Sequence, residues 1–107
     1  MIARDEKAAE ISQKKYAHFD GSFSYVIADF LSDDSCISAV AQASSLLGQV
    51  DTLVLAHGNV MAGPAIEMTL DSWSEQIQVN LTATFRLAQA VAPEMIKRGS
   101  GKIVTYA

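Results

Sequence analysis

The chain has 107 residues, half of them apolar and 19% charged, a balance that excludes a disordered or low-complexity protein. Eight basic side chains stand against twelve acidic ones, for a net charge of −4, and no basic cluster exceeds a pair. That excludes the electrostatic footprint of a nucleic-acid binder and of a membrane-surface helix. No apolar run approaches the ~20 residues that span a bilayer, and the acidic start at Asp5 and Glu6 does not read as a signal peptide. Cys36 is the single cysteine, so neither an internal disulfide nor a cysteine metal cluster is expected, and no metal site is assigned. A reducing cytoplasm fits this usage.

In chain order, residues 3–15 read as a short polar helix, with Asp5 and Glu6 at its positive end and Lys14 and Lys15 at its negative end. Met1, Ile2 and Ala3 alternatively form the tail of a strand. After Gly21, residues 23–29 are aromatic and β-branched and predict a strand. Ser32 opens a second helix whose apolar stripe is Ile37, Val40, Ala41, Ser44 and Leu47, and Gly48 stops it. Residues 50–56 predict a second full strand; the unbroken run from Leu53 to Ala56 predicts burial on both faces. Thr69 is the expected N-cap of a helix over 69–98 with Trp73, Ile77, Leu81, Ala88, Val91 and Met95 on one face. Pro93 should bend that helix or force a local adjustment. Gly99 and Gly101 end it, and residues 102–106 form the third full strand. Strands alternating with helices predict an α/β fold with a parallel sheet and right-handed crossovers. Residues 1–107 are expected to form one domain.

Three stretches, in order, carry a family resemblance. Ala28, Asp29 and Phe30 follow a strand. Asp51 to Gly58 is a strand running into Ala56, His57 and Gly58. Val79, Asn80 and Leu81 lie on the long helix, with Asn80 22 residues beyond Gly58. Together they resemble the short-chain dehydrogenase/reductase family, through its adenine-contacting Asp-Val pair, its Asn-Asn-Ala-Gly strand end and its Val-Asn-Leu helix. The resemblance implies a partial Rossmann-like, doubly wound parallel sheet of three strands, a strand stub and three helices. It implies an oxidoreductase that moves hydride between NAD(P) and a carbonyl/alcohol substrate. Arg4, Asp29, Phe30, Ala56, His57, Gly58 and Val79 fall at cofactor-binding positions, and Asn80 at the catalytic asparagine that holds a water in a proton relay. Arg4, just past the stub, is placed to meet the 2′-phosphate of NADP, which leans the choice to NADP over NAD.

The departures are specific. Leu55 and Ala56 stand where the family has two asparagines, and His57 where it has alanine. No G-x-x-x-G-x-G turn occurs, and no tyrosine has a lysine four residues later. The chain therefore reads as the central part of such an enzyme, an incomplete cofactor-binding domain inactive alone. The alternative is a non-catalytic binding or subunit-interaction module. Each site residue also has a plainer reading: Asn80 as a core amide, Asp29 as a helix initiator, Arg4 as a solvated charge, His57 as a loop residue.

The family's sheet places its first strand between the segments that here are the stub and the 50–56 strand. The resemblance thus predicts an empty slot, which either closes up or is filled by a partner. In the family the long helix commonly packs on its copy, so a homo-oligomer is expected.

Overall fold

The structure, a computed structural model, describes residues 1–106. Strand β1 is Ile2–Ala3, helix α1 Glu6–Tyr16, strand β2 Val26–Ile27, helix α2 Asp33–Leu47 and strand β3 Thr52–Leu55. Helix α3, Leu70–Ile77, passes through a π-helical turn, Gln78–Thr82, into α4, Ala83–Arg98, before strand β4, Lys102–Thr105. The stub is thus a strand, and α1 starts at Glu6 instead of Ala3, with Asp5 as its cap: its carboxylate accepts from the Ala8 amide at 3.2 Å. Ser32 and Thr69 cap α2 and α3 as expected, accepting from the Ser35 and Ser72 amides. Gly48 and Gly99 end α2 and α4 at φ of 79° and 73°, values a side chain would resist.

Both strand pairs are parallel, β1 with β2 and β3 with β4, but they form two separate two-stranded sheets. Only Val26 and Ile27 of the expected 23–29 strand are paired, because β1 offers only two residues to bond with. The predicted slot is present and has not closed. A cleft of about 510 Å³ separates β1 from β3, with Phe30 and Leu87 beneath it.

The helices cover one side of β3. Leu55 is buried, whereas Val54, one residue earlier and on the opposite face, is 60% exposed. The expectation of burial on both faces is therefore corrected: a continuous apolar run met only one covering layer. On α2 the buried face is Cys36, Ala39 and Val40, while Ile37 and Leu47 point to solvent. Small side chains there let α2 lie close against its neighbours.

The long helix differs most from the expected stripe. Its buried residues are Val79, Ala83, Leu87, Val91 and Met95; Trp73, Ile77 and Leu81 are exposed. The cause is the π turn, where the Ala83 amide bonds to the Gln78 carbonyl five residues back. This wider turn shifts α3 out of phase with α4, so one stripe of period 3.6 cannot run through both. The helix departs from α-helical bonding here and not at Pro93, which lies within α4.

Candidate functional site

The loop of Asp29 and Phe30 follows β2, and His57 and Gly58 follow β3. The rings of Phe30 and His57 stack with centroids 4.5 Å apart and planes 20° off parallel. This contact brings the carboxyl ends of both strand pairs to one edge of the molecule, where ligands bind in open α/β folds. Phe30 is buried and His57 half-buried.

Asp29 is held by its own loop. Its Oδ1 accepts from the Leu31 amide at 2.9 Å, and its backbone amide donates to Ser35 Oγ at 2.9 Å. The carboxylate thus serves the turn into α2, and its side chain remains open to solvent. Arg4, just beyond β1, is exposed and in no ion pair among the described residues.

Asn80 projects from the π turn and clamps the loop after β3. Its Oδ1 accepts from the Asn59 amide and its Nδ2 donates to the Asn59 carbonyl, both at 2.9 Å. The expectation that Asn80 is hydrogen-bonded is met, but it is an exposed residue rather than one on the buried face. Gly58 sits tightly against this clamp: a Cβ there would lie 3.2 Å from Asn80 Oδ1. Val79, the preceding residue, is buried in the core beside Leu55.

His57 is tied to the same turn. Thr84 Oγ1 lies 3.3 Å from His57 Nε2 and donates to the Asn80 carbonyl at 3.0 Å. The direction of the Thr84–His57 contact follows the imidazole tautomer. Burial pushes the imidazole pKa down, opposed by a bond to the Val79 backbone, which favours neutral His57. Cys36, beneath Asp29, has its thiol pKa raised, first by burial and then by the Asp33 and Asp29 carboxylates.

The sequence reading missed Asn59, whose backbone receives the clamp and whose buried Oδ1 has no donor among the described residues. Its position after Gly58 gives no local signal; only the fold brings residues 59 and 80 together. Also missed was the link across α2 and α4. Asp33 accepts from Gln78 Nε2 at 2.9 Å and pairs with Arg86 Nε at 3.3 Å. Among the described residues no group of three or more metal-ligating side chains is assembled. No helix among them is long and apolar enough to cross a membrane.

A family profile described as short chain dehydrogenase matches residues 1–107. The chain belongs to the short-chain dehydrogenase family. Within that family it is 34% identical to a D-threitol dehydrogenase of Mycolicibacterium smegmatis over 94% of this chain and 36% of that protein. It is 35% identical to a gluconate 5-dehydrogenase of Gluconobacter oxydans over 97% of this chain and 41% of that protein. A metagenomic short-chain oxidoreductase solved in complex with NADP superposes with a TM-score of 0.89 at 27% identity, covering 97% of this chain and 47% of that one. The chain thus spans less than half the length of these relatives. The α/β architecture expected from the order of elements, Rossmann-like by the family resemblance, is the architecture of the family's solved members.

Proposed function

We propose that this chain carries the adenosine side of the cofactor site of an NADP-dependent oxidoreductase acting on a carbonyl/alcohol pair. The observation that supports it is the convergence of Asp29, Phe30, His57, Gly58 and Asn80 at one strand edge. The residues present fit one half of the cofactor. Asp29 keeps carboxylate acceptor capacity beyond the Leu31 bond for an adenine amino group. Ala56 offers an exposed apolar surface with Phe30 buried behind it, half-buried His57 and the small Gly58 adjoin it, Val79 backs the site from the core, and Arg4 is free to meet a 2′-phosphate. No Gly-rich turn in residues 1–107 offers amides to a pyrophosphate. When bound, the nicotinamide supplies or accepts the hydride.

Asn80 has both carboxamide groups committed to Asn59, so its contribution is to fix the loop carrying His57 and Gly58. Its main-chain carbonyl accepts from Thr84 Oγ1. On this reading the chain alone performs no turnover. The exposed Trp73, Leu81 and Phe85 support self-association along the long helix, and the lone Cys36 supports a reducing cytoplasm. The second reading, a non-catalytic interaction module, is favoured by that same exposed helix surface.

A thermal melt with and without excess NADPH or NADH tests the proposal. A ligand at ~100 times its dissociation constant stabilises a fold by about 2.7 kcal/mol, several degrees for a domain of this size. NADPH should raise the midpoint more than NADH does, and Arg4→Ala should remove the difference. A cooperative melt indifferent to both cofactors would overturn the reading and leave the interaction module.

A further inference from the structure

Helix α2 lies against the long helix mainly through apolar side chains, Cys36 and Val40 sharing a cluster with Val79, Ala83 and Leu87. Contacts of that kind are non-directional and do not fix how two helices are set along each other. One polar side chain does. Asp33, in the first turn of α2, accepts from Gln78 Nε2 at 2.9 Å across 45 residues of chain. Its other carboxylate oxygen lies 3.3 Å from Arg86 Nε, and Arg86 is braced in turn by donating from Nη1 to Gln89 Oε1. Among the described residues no other side-chain hydrogen bond or ion pair joins α2 to residues 70–98.

The two contacts differ in kind. Arg86 Nε is buried without a well-aligned hydrogen bond, so it meets Asp33 as a charge, whereas the Gln78 bond has a direction. The Arg86 and Asp33 side chains are 28% and 43% exposed, and water screens a pair of that sort. Placement is therefore the main contribution of the contact.

Each end of this tie carries one side of the candidate site. The Asp29 amide donates to Ser35 Oγ and the Asp29 carbonyl accepts from the Ser32 amide, so the loop of Asp29 and Phe30 hangs on the first turn of α2. Gln78 opens the π turn, whose Asn80 grips Asn59 and with it the loop of His57 and Gly58. A line of directional bonds thus runs from Asp29 through the first turn of α2, Asp33 and Gln78 to Asn59. The Phe30–His57 stack also joins the two loops, but a ring stack admits a range of offsets.

We infer that Asp33 and Gln78 are positioning residues: their bond sets the separation between the Asp29 carboxylate and the Gly58 loop, and Arg86 holds the Asp33 charge at that bond. That this separation serves a ligand rests on the cofactor reading above; the separation itself does not.

Amide NMR spectra of the intact chain, read at the far end of the tie, test the geometry without a ligand. Gln78→Glu sets two carboxylates against each other and should move the Asp29, Phe30 and Leu31 signals. Adding Asp33→Asn reverses donor and acceptor and should return them. Gln78→Met, which removes the donor without adding charge, should move the same signals and serves where Gln78→Glu unfolds the chain. Asp34→Asn removes the neighbouring first-turn carboxylate and should leave the signals in place. Unmoved signals in a folded Gln78 variant, no return in the swapped pair, or equal movement in Asp34→Asn would overturn the inference. Calorimetric binding of adenosine 2′,5′-bisphosphate tests the purpose. Losing one hydrogen bond to a charged group corresponds to about tenfold in affinity. Gln78→Glu should weaken binding by that factor, and the swapped pair should recover most of it. Equal affinity in the original chain and in folded Gln78→Glu overturns the inference and leaves the cofactor reading intact. No binding by the original chain, with signals that move and return, overturns the cofactor reading and leaves the tie standing.

Discussion

The two strand pairs of this molecule are held in very different ways. Around β3 and α4, nine buried residues from Phe30 to Met95 form one cluster, with α2 packed across it. Around β1 and β2 the buried set is Val26, Ala28 and Ala39, and α1 adds only Ala9. Hydrophobic stabilisation scales with buried apolar area, so the β3–α4 region should open last and the amino-terminal pair first. The candidate site lies across this boundary: Asp29 follows the weakly held strand pair, whereas Phe30, although on the same loop, packs into the large cluster, and His57 and Asn80 come from the strongly held region. Its geometry is therefore only as stable as the weaker side.

The largest expected effect tests that difference directly. Leu87→Ala removes a side chain that is 2% exposed at the centre of the large cluster, and should cost about 2–5 kcal/mol in urea unfolding. Val26→Ala, in the small cluster, should cost about 1.5 kcal/mol at ~0.8 kcal/mol per buried carbon, and its effect should fall on the exchange of β1–β2 amides before those of β3. Equal responses from both regions would show that the molecule unfolds as one unit and break the comparison. A smaller effect sharpens the boundary itself. Asn80→Ala leaves the Asn59 amide and carbonyl without their partner; with water able to replace it in part, the cost should be about 1 kcal/mol. The Asn59 amide should then exchange faster while β1–β2 amides stay unchanged.

The smallest effect is in pH. His57 has a lowered pKa in the fold, so the unfolded chain takes up the proton first as pH falls. Stability should be level above the ordinary imidazole value of about 6.5 and decline below it. A plot of melting temperature between about pH 5.5 and 7.5 should lose part of that slope in His57→Asn. An unchanged slope would remove His57 from the pH response.

What the sequence made legible was local. Ser32 and Thr69 cap their helices through bonds three residues long, and Gly48 and Gly99 end theirs through backbone conformation, so each signal is carried by its own neighbourhood. The order of strands and helices followed, as did the slot between β1 and β3. What the sequence left hidden depends on surroundings. Val54 and Leu55 are equally apolar, and only the presence of helices on one side separates an exposed residue from a buried one. At the site, the positions of Asp29 and His57 after strands and of Asn80 on a helix were legible, but the Asn59 clamp and the Thr84 bridge required the fold to bring distant segments together.

The π turn at Gln78–Thr82 also sets how this helix can tolerate change in length. Each α-helical residue advances about 100° around the axis, and the wide turn absorbs one surplus residue in a single loop of backbone. Deleting one residue there would restore an uninterrupted α-helix and swing Trp73 and Ile77 around by roughly that angle relative to Leu87 and Val91. Inserting a residue at another point in α4 would have no such reservoir. The turn is thus a rotational joint fixed in one setting, and the surface that α3 shows to a neighbour is decided at Asn80, not by the residues on that surface.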